Sequence, residues 1–435
     1  MQQVNDKERY QKIRIEQAAN GLRKYKLLIN GLYNPDYVKS MLIEAKKLES
    51  WSLGLIAEDK EGGGDLGALI KTLRSLLAEF KVNEFKPDHI CVWYYDQDDE
   101  AKWITALMNA FELTPGESLE INSKMLSEFT GIHFEISDPQ EWKKVTIAFS
   151  IPTGNLFQVE SLNKSSIAQF SYYDQGGWAS GPCFGSLGIA HTIPTKKGEK
   201  AFHIINKSLA NVLKGDKFLL YVGYFSTAIK SMPSWFVECE EHAKKQQDSG
   251  KRSFVLGHQI SDEIIDAIKA ISKKSKRSYS LMEWNGETIK EKMKIGESDS
   301  PDIIICYAKG SRFQPYTMQL LYNSSVGPLG ASGDQSMAEV LDGIALSTEE
   351  QRIVHVNARG NQGFFINDLL KTLASIRKLK APKNTIKTNQ SFFSIEISIT
   401  KDEARMLTSL NLSEMMLLMI LGFLAKKGKK AFWEK

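Results

Sequence analysis

The chain has 435 residues, which is too long for one ordinary hydrophobic core and suits two domains of roughly 200 residues each. Hydrophobic residues make up 42% and charged residues 25%, a composition typical of a soluble globular protein. Because the net charge is only +4 and both signs are interspersed, the composition argues against a nucleic-acid-binding surface and predicts no nucleic-acid partner.

The N-terminus, the longest apolar run and the cysteines indicate the compartment. The N-terminus is polar and lacks the apolar segment of a secretory signal. The longest apolar run, Met415–Ala425, has eleven residues, too few to span a bilayer, so it predicts a buried helix and no transmembrane segment. The four cysteines are far apart and form no C-x-x-C pair, which predicts buried, reduced thiols and a cytoplasmic protein.

Hydrophobic patterns predict the elements of the first half of the chain. Residues 1–50 are predicted as a helical extension. From residue 51, strand-like apolar runs alternate with helical segments: strands at 51–57, 88–95, 145–151 and 166–173, and helices at 66–80, 98–112 and 118–129. Alternation of this kind predicts parallel β-α-β units in a first domain over residues 51–214.

A second alternating series begins near residue 215. Its predicted strands are 217–225, 253–256, 279–284 and 302–308, and its predicted helices are 233–246, 262–272 and 315–322, with Pro233 in the first turn of its helix. This series predicts a second domain over residues 215–400. We therefore expect an α/β fold with two Rossmann-like domains facing each other across a cleft.

The last part of the chain, residues 401–435, is predicted to form a C-terminal helix with a basic end, and helices are predicted at 361–379 and 402–427. The basic end follows the apolar run and predicts either a solvated helix terminus or peripheral contact with a membrane surface. The lysines concerned are Lys426, Lys427, Lys429 and Lys430.

A glycine-rich turn over residues 61–67 stands between the first predicted strand and the helix that follows it. It matches G-x-G-x-x-G through Gly62, Gly64 and Gly67, a pattern that brings backbone close to a pyrophosphate. However, Asp96, which ends the next strand, lies well beyond the usual spacing of about 20 residues. Acidic residues also precede the turn and would repel a pyrophosphate. A P-loop is excluded because no Gly-Lys-Ser/Thr closes the turn.

Asp65 is the ionisable side chain inside this turn. A carboxylate at the mouth of a cleft can accept a proton from an attacking hydroxyl, amide or guanidinium group. Asp before a helix is also a common N-cap that needs no chemistry. The sequence leaves both roles open, and they can coexist.

A second segment of small residues, 328–339, predicts an anion site at the start of a helix near Asp334. Small residues from Gly330 to Gly333 free backbone N–H groups for a phosphate, and Ser332 and Ser336 add hydroxyl donors. Glu339 is placed to hydrogen-bond a ribose or sugar hydroxyl. A capped surface helix without a ligand is the alternative.

Other catalytic and metal-binding patterns are missing from the sequence. Three of the histidines, His191, His203 and His258, have no partner at metal-ligand spacing in the sequence and are interpreted as structural. No H-E-x-x-H motif and no G-x-S-x-G motif occurs. The sequence therefore predicts neither a metal site nor a serine hydrolase.

Together these segments resemble glycosyltransferases with two Rossmann-like domains, the GT-B fold, and among them bacterial protein-arginine rhamnosyltransferases. Residues 64–67, Gly-Asp-Leu-Gly, resemble the G-D-I-G turn whose aspartate is the base in that family. Residues 333–336, Gly-Asp-Gln-Ser, are similar to its G-E-D-S segment, although the order of the residues differs. Residues 220–226 resemble its donor-side strand and turn.

The resemblance implies an inverting, metal-independent transfer of a sugar from a nucleotide-sugar donor, which is a substrate and not a cofactor. Asp65 is then the catalytic base, with Gly64 and Gly67 in the acceptor loop. The implied donor-binding residues are Tyr224, Gly330, Ser332, Gly333, Asp334, Gln335, Ser336 and Glu339. The acceptor stays open, with a protein among the candidates.

The chain departs from that family in two respects. About 50 residues precede the first strand, and few cations stand near the second glycine segment: Lys309, Arg312 and Arg352. The alternatives are a non-catalytic binding protein of the same architecture, an epimerase acting on a nucleotide sugar, and an NAD-dependent enzyme that uses the turn from Gly62 to Gly67.

Overall fold

The computed structural model of the chain describes residues 12, 29–32, 34–48, 50–58, 64–95, 100–142, 145–151, 166–171, 178–179, 181, 183, 186, 188–213, 218–225, 228–246, 251–299, 301–309, 311, 313–332, 334–359, 363–380, 386 and 392–425. Its internal contacts divide the chain into two compact units. The first unit comprises residues 1–193 and 406–435, and the second comprises residues 194–405.

The first unit alternates strands and helices, and the hydrophobic pattern predicted its strands except those at 133–136 and 178–179. Its described elements, in chain order, are α1 Pro35–Ala45, β1 Ser52–Glu58, α2 Gly64–Val82, β2 His89–Tyr95, α3 Glu100–Ala110, α4 Leu119–Thr130, β3 His133–Ile136, β4 Ile147–Ser150, β5 Ser166–Ser171 and β6 Trp178–Ala179.

The strands of the first unit form a six-stranded sheet in the order β3-β2-β1-β4-β5-β6, and every described pair is parallel. Helices follow β1 and β2, so the central strands are buried: all of β4 and all of β1 except its last residue. The order 3-2-1-4-5-6 is that of a doubly wound Rossmann sheet, and the strand order reverses between β1 and β4.

The second unit also alternates strands and helices. Its described elements are α5 Lys196–Val212, β7 Phe218–Gly223, α6 Ala228–Lys245, β8 Lys251–Gln259, α7 Asp262–Ser275, β9 Tyr279–Trp284, β10 Ile289–Ile295, β11 Asp302–Tyr307, α8 Pro315–Ser324, β12 Leu329–Ala331, α9 Asp334–Leu346, β13 Gln351–Arg359, α10 Gly363–Ile376, β14 Phe392–Thr400 and α11 Lys401–Leu407.

The second sheet has eight strands in the order β10-β9-β11-β8-β7-β12-β13-β14. Its six central strands are parallel, and an antiparallel strand, β10 or β14, lies at each edge. β7 pairs with the next strand in the chain, β8, on one side and with β12 on the other. The strand order of the second sheet therefore reverses between β7 and β12. The chain is therefore an α/β protein with two largely parallel, Rossmann-like sheets.

The boundary between the units differs from the predicted one at 214/215. Helix α5 belongs to the second unit because it packs on α8. The Thr317 hydroxyl donates to the carbonyl oxygen of Gly198 at 3.1 Å, and the Thr195 hydroxyl donates to Gln314 Oε1 at 3.0 Å. The predicted C-terminal segment 401–435 is also divided. The second unit ends within α11, at Arg405, and the last helix, α12 (Leu412–Ala425), lies in the first unit.

Four strands of the second unit, β10, β12, β13 and β14, were not predicted from the sequence, and the start of helix α6 also differs. Helix α6 begins at Ala228, so that Pro233 lies inside the helix and not in its first turn. A proline there removes one backbone hydrogen bond and strains the helix, which is why the sequence pattern favoured a later start. Strand β10 was not predicted because its sequence, Ile-Lys-Glu-Lys-Met-Lys-Ile, is mostly exposed and carries little apolar pattern.

The apolar run near the C-terminus forms a buried helix, as predicted. Residues from Leu412 to Leu424 in α12 are nearly all buried, and the helix packs against α1 and α2. Among the described residues, no helix is long and apolar enough to cross a membrane. The lysines at 426–430 lie outside the described residues.

An ion pair between the buried Asp302 and the partly exposed Arg277 joins β11 to the start of β9 and provides a test of the fold. Asp302 at the start of β11 is 5% exposed and accepts hydrogen bonds from Arg277 Nε at 2.7 Å, from Arg277 Nη2 at 3.1 Å and from the backbone N–H of Arg252 at 3.3 Å. We expect Asp302→Asn to lower the free energy of unfolding by about 2–3 kcal/mol, because charge-assisted bonds are lost in a buried place.

The matched control is Asp266→Asn, because Asp266 pairs with Lys269 on an exposed helix surface. This change is expected to alter stability by less than about 0.5 kcal/mol. Urea unfolding of the full chain measures both variants, and equal effects would contradict the assignment of Asp302 as a buried anchor.

Candidate functional site

Two segments that the sequence singles out meet at the point where the strand order of the second sheet reverses. β7 ends at Gly223, β12 contains Gly330, and these two glycines are paired in register. The backbone N–H of Tyr224 donates to the carbonyl oxygen of Gly330 at 3.1 Å. In open α/β sheets, ligands bind outside the carboxyl ends of the strands at such a reversal point.

The two strands approach so closely that a side chain would not fit between them. A Cβ atom built on Gly330 would lie 2.4 Å from Phe225 Cζ and 2.9 Å from the Cα of Gly223. The Phe225 ring fills the space that side chains at these positions would otherwise take, and it is itself 1% exposed. Glycine at 330 is therefore required for packing, independently of any phosphate.

His258, near the end of β8, belongs to the same edge of the sheet. Its Nε2 accepts the backbone N–H of Phe225 at 2.9 Å, and its ring stacks on Tyr224 with centroids 5.1 Å apart. Burial lowers the pKa of His258 to about 4, so the ring is neutral near pH 7. Because Nε2 is an acceptor, the proton resides on Nδ1. Among the described residues, no acceptor bonds Nδ1.

The segment after β12 forms a tight turn into α9. The backbone N–H of Ser332 donates to Ser336 Oγ at 3.1 Å, and both serines are buried. This bond corrects the prediction that the backbone N–H groups of the turn are free for a phosphate, since that of Ser332 is already used. Asp334 and Gln335 begin α9 as predicted, but their side chains and the whole of Gly333 lie outside the described residues.

Glu339 lies one turn further along α9 and is half-buried. Burial, and then the charges of Glu339 and Tyr224, raise the pKa of the Tyr322 hydroxyl well above its usual range. That hydroxyl donates to the carbonyl oxygen of Gly330 at 3.4 Å. The carbonyl oxygen of Gly330 thus accepts hydrogen bonds from both the Tyr322 hydroxyl and the backbone N–H of Tyr224.

Of the three cations that the sequence places near the segment 328–339, the described residues include Lys309 and Arg352, and these lie at opposite edges of the sheet. Lys309 is exposed and follows β11, so it lies at the same carboxyl edge of the parallel sheet. Arg352 stands near the start of β13, towards the opposite edge, where its Nη2 donates to Ser347 Oγ at 3.0 Å. It is 5% exposed and does not belong to the site. Arg312 lies outside the described residues.

In the first unit, the described part of the first glycine turn is residues 64–67, at the start of α2. It follows β1, beside which the strand order of that sheet reverses. Helix α2 begins at Gly64, two residues before the predicted start, so Asp65 and Gly67 are in its first turn. A Cβ atom built on Gly67 would have nothing within 4 Å. Gly62, Asp96 and the side chain of Asp65 lie outside the described residues.

The sequence identified the segments of the second-unit site but missed His258, which it treated as structural. His258 does make a structural bond to Phe225, yet that bond also fixes a protonated Nδ1 at the edge where the segments meet. The sequence signal was a histidine near the end of a predicted strand. Only the order of the strands places it beside Tyr224.

Comparisons with known proteins add little to this geometry. No family model matches the sequence, and no curated protein is similar to it. Among solved structures, the chain has a similarity to the crystal structure of a periplasmic ribose ABC transporter from Conexibacter woesei DSM 14684. The identity is 12%, the match covers 81% of this chain and 92% of that one, and the TM-score of 0.17 is too low to assign a fold or a function.

The contact between β7 and β12 predicts a large difference between two glycine-to-alanine changes. Gly330→Ala should lower the free energy of unfolding by about 1–3 kcal/mol, because the new methyl group overlaps the Phe225 ring. Gly67→Ala should be neutral or stabilising by about 0.5–1 kcal/mol, because it replaces a helical glycine in open space. Denaturant unfolding measures both, and a tolerated Gly330→Ala would contradict the close approach.

His258 predicts a pH-dependent contribution to stability. Its pKa is lower in the folded chain, about 4, than the usual value of about 6.5. The contribution is therefore present above pH 6.5 and is lost as the pH falls from 6.5 towards 4, where only the unfolded chain takes up the proton. His258→Phe keeps the ring but leaves the N–H of Phe225 unbonded, at a cost of about 1–3 kcal/mol at pH 7.

The stability difference between the wild type and His258→Phe should accordingly shrink between pH 6.5 and pH 4. His203→Phe is the control, because His203 is exposed on α5 and its side chain is 69% accessible. Thermal unfolding across this pH range measures both variants. A difference for His258→Phe that stays constant with pH would refute the buried neutral histidine.

Proposed function

We propose that the protein is a glycosyltransferase that binds a nucleotide-sugar donor at the carboxyl edge of its second sheet. The observation that supports this proposal is the meeting of Tyr224 and the segment 330–339 at the reversal point of a Rossmann-like sheet. Helix α9 starts directly after this contact, and a helix start offers unpaired N–H groups and a positive dipole end to a diphosphate.

The chemistry of the proposed donor site follows from its side chains. The face of Tyr224 stacks on His258, and such an aromatic pair suits a flat nucleobase. Nδ1–H of His258 and the ammonium group of Lys309 are donors for phosphate oxygens. In the transition state, these donors and the start of α9 would stabilise the charge that develops on the leaving diphosphate. Glu339 would accept from a ribose or sugar hydroxyl.

In this proposal the first unit binds the acceptor, and Asp65 is the base. Asp65 belongs to the first turn of α2, and acidic residues are favourable near a helix N-terminus. The carboxylate would take the proton of the acceptor group while that group attacks the anomeric carbon and the nucleoside diphosphate leaves. A single displacement inverts the configuration at that carbon. The acceptor stays open, and a protein is among the candidates.

A second candidate function is favoured by the first unit alone. Its sheet has the 3-2-1-4-5-6 order, and the glycine turn follows β1, which is where dinucleotide-binding folds hold a pyrophosphate. An NAD-dependent enzyme would therefore bind its cofactor on the first unit, whereas the transferase binds its nucleotide on the second. This difference makes the two functions separable by experiment.

The test is a thermal-shift screen of the full chain with UDP-, GDP-, dTDP- and CMP-sugars beside NAD(H) and NADP(H). We expect one nucleotide sugar to stabilise the protein, by about 2.7 kcal/mol at a ligand concentration of 100 times Kd. Glu339→Gln should weaken this effect. Asp65→Asn should preserve it while abolishing sugar transfer, which is measured by release of the free nucleotide: a nucleoside diphosphate from UDP-, GDP- or dTDP-sugars, or CMP from CMP-sugars.

Two other outcomes would replace the proposal. Stabilisation by NAD(H) alone, weakened in Gly67→Ala, would support the dinucleotide enzyme, since Gly67→Ala should not itself reduce stability. Binding of a nucleotide sugar without turnover in the wild type, for any of a set of protein and small-molecule acceptors, would favour a non-catalytic binding protein.

A further inference from the structure

Four side chains of metal-ligating type stand on one face of the first sheet. β2 and β3 are parallel neighbours, with His89 opposite His133 and Cys91 opposite Glu135. Because side chains of a strand alternate between faces, residues two apart share a face, and all four therefore point to the same side. Neither H-x-C nor H-x-E is a metal motif alone, and only the pairing of the two strands joins them.

The ligand atoms of three of these residues are already close together. His89 Nε2 lies 3.7 Å from Cys91 Sγ and 3.2 Å from Glu135 Oε2, and all three atoms lie within 4.8 Å of one another. In a tetrahedral zinc site, bond lengths of 2.0–2.3 Å place neighbouring ligand atoms about 3.3–3.8 Å apart. A zinc ion would need only small side-chain adjustments here.

The donor set selects the kind of metal. One imidazole nitrogen, one thiolate sulfur and one carboxylate oxygen suit zinc, whereas magnesium and calcium prefer oxygen ligands alone. Cys91 is 1% exposed, while the side chains of His89 and Glu135 are 26% and 34% exposed. The group is therefore buried at Cys91 and accessible to solvent at His89 and Glu135, where an ion can enter.

Neighbouring residues complete the surroundings of such a site. The Ser137 hydroxyl donates to Glu135 Oε1 at 2.6 Å, which orients the carboxylate and leaves Oε2 towards His89. The exposed ring of His133 lies beside that of His89, with centroids 4.5 Å apart. His133 is not among the residues whose ligand atoms lie within 4.8 Å of one another, so its imidazole, a donor of the type that zinc prefers, would have to turn towards the ion to bind it.

We propose that His89, Cys91 and Glu135 form a zinc-binding site in the first unit, with His133 at the fourth position. On binding, the Cys91 thiol releases its proton to solvent and the thiolate sulfur bonds the ion. The site lies at the starts of β2 and β3, the end of the strands opposite to the glycine turn. Its role is structural, since it clamps the short edge strand β3 to β2, and it is independent of the proposed sugar transfer.

The test uses the full chain, stripped of metal with a chelator and titrated with Zn²⁺ and, separately, with Co²⁺. We expect one zinc ion per chain and a rise in thermal stability. With Co²⁺ we expect the absorption band of a thiolate–cobalt bond. Cys91→Ser should lose this band, whereas Cys306→Ser, which alters a buried thiol on a strand of the second unit, should keep it.

Glu135→Gln is the second variant, because Glu135 is partly exposed and its replacement should not impair folding. It is expected to weaken zinc binding at least about 10-fold. Replacing a residue that only hydrogen-bonds a metal ligand already costs about that much, and Glu135 is proposed as a ligand itself. Circular dichroism checks that each variant is folded. Two results would overturn the proposal: a folded Cys91→Ser variant that binds zinc as tightly as the wild type, or a wild type that binds no zinc. In either case these residues form only a polar cluster between two strands.

Discussion

The contact between Gly223 and Gly330 is the constraint on which the candidate site depends. These residues are more than 100 positions apart in the chain. Their strands can pair so closely there only because both paired residues are glycines, and the ring of Phe225 fills the space beside them. The bond from Tyr224 to Gly330 then joins the two halves of the second sheet. The strand order reverses at this place, so the start of α9 and the aromatic pair of Tyr224 and His258 lie at one edge.

The site that results relies more on hydrogen bonds than on charge. His258 is neutral near pH 7. Of the cations that the sequence suggested, Arg352 bonds Ser347 away from the site. Among the described residues, Lys309 is the one of these cations that lies at the carboxyl edge. A diphosphate bound there would be neutralised mainly by the helix N-terminus and by oriented N–H donors. Such donors are effective where water is excluded, because no reorganisation is needed when charge develops.

The first unit uses the two ends of its parallel strands differently. Carboxyl ends carry the glycine turn after β1, whereas the starts of β2 and β3 carry the histidines, Cys91 and Glu135. Parallel pairing keeps these ends apart by the length of a strand. A ligand at the turn and an ion at the opposite end would therefore not compete, and each can be tested without the other.

The sequence by itself indicated most of the parallel strands and the helices between them, because a strand covered on both faces is mainly apolar, as β1, β7 and β11 are. It also identified both glycine segments. It missed the short strands β3, β6 and β12, the strands β13 and β14, and β10, whose charged residues face solvent. It also misplaced the division between the units, because the packing of α5 on α8 leaves no local signal. Which strands are neighbours was decided only by the tertiary structure. Neighbouring strands unite Tyr224 with His258 and His89 with Glu135, and such contacts between distant residues have no pattern in the chain.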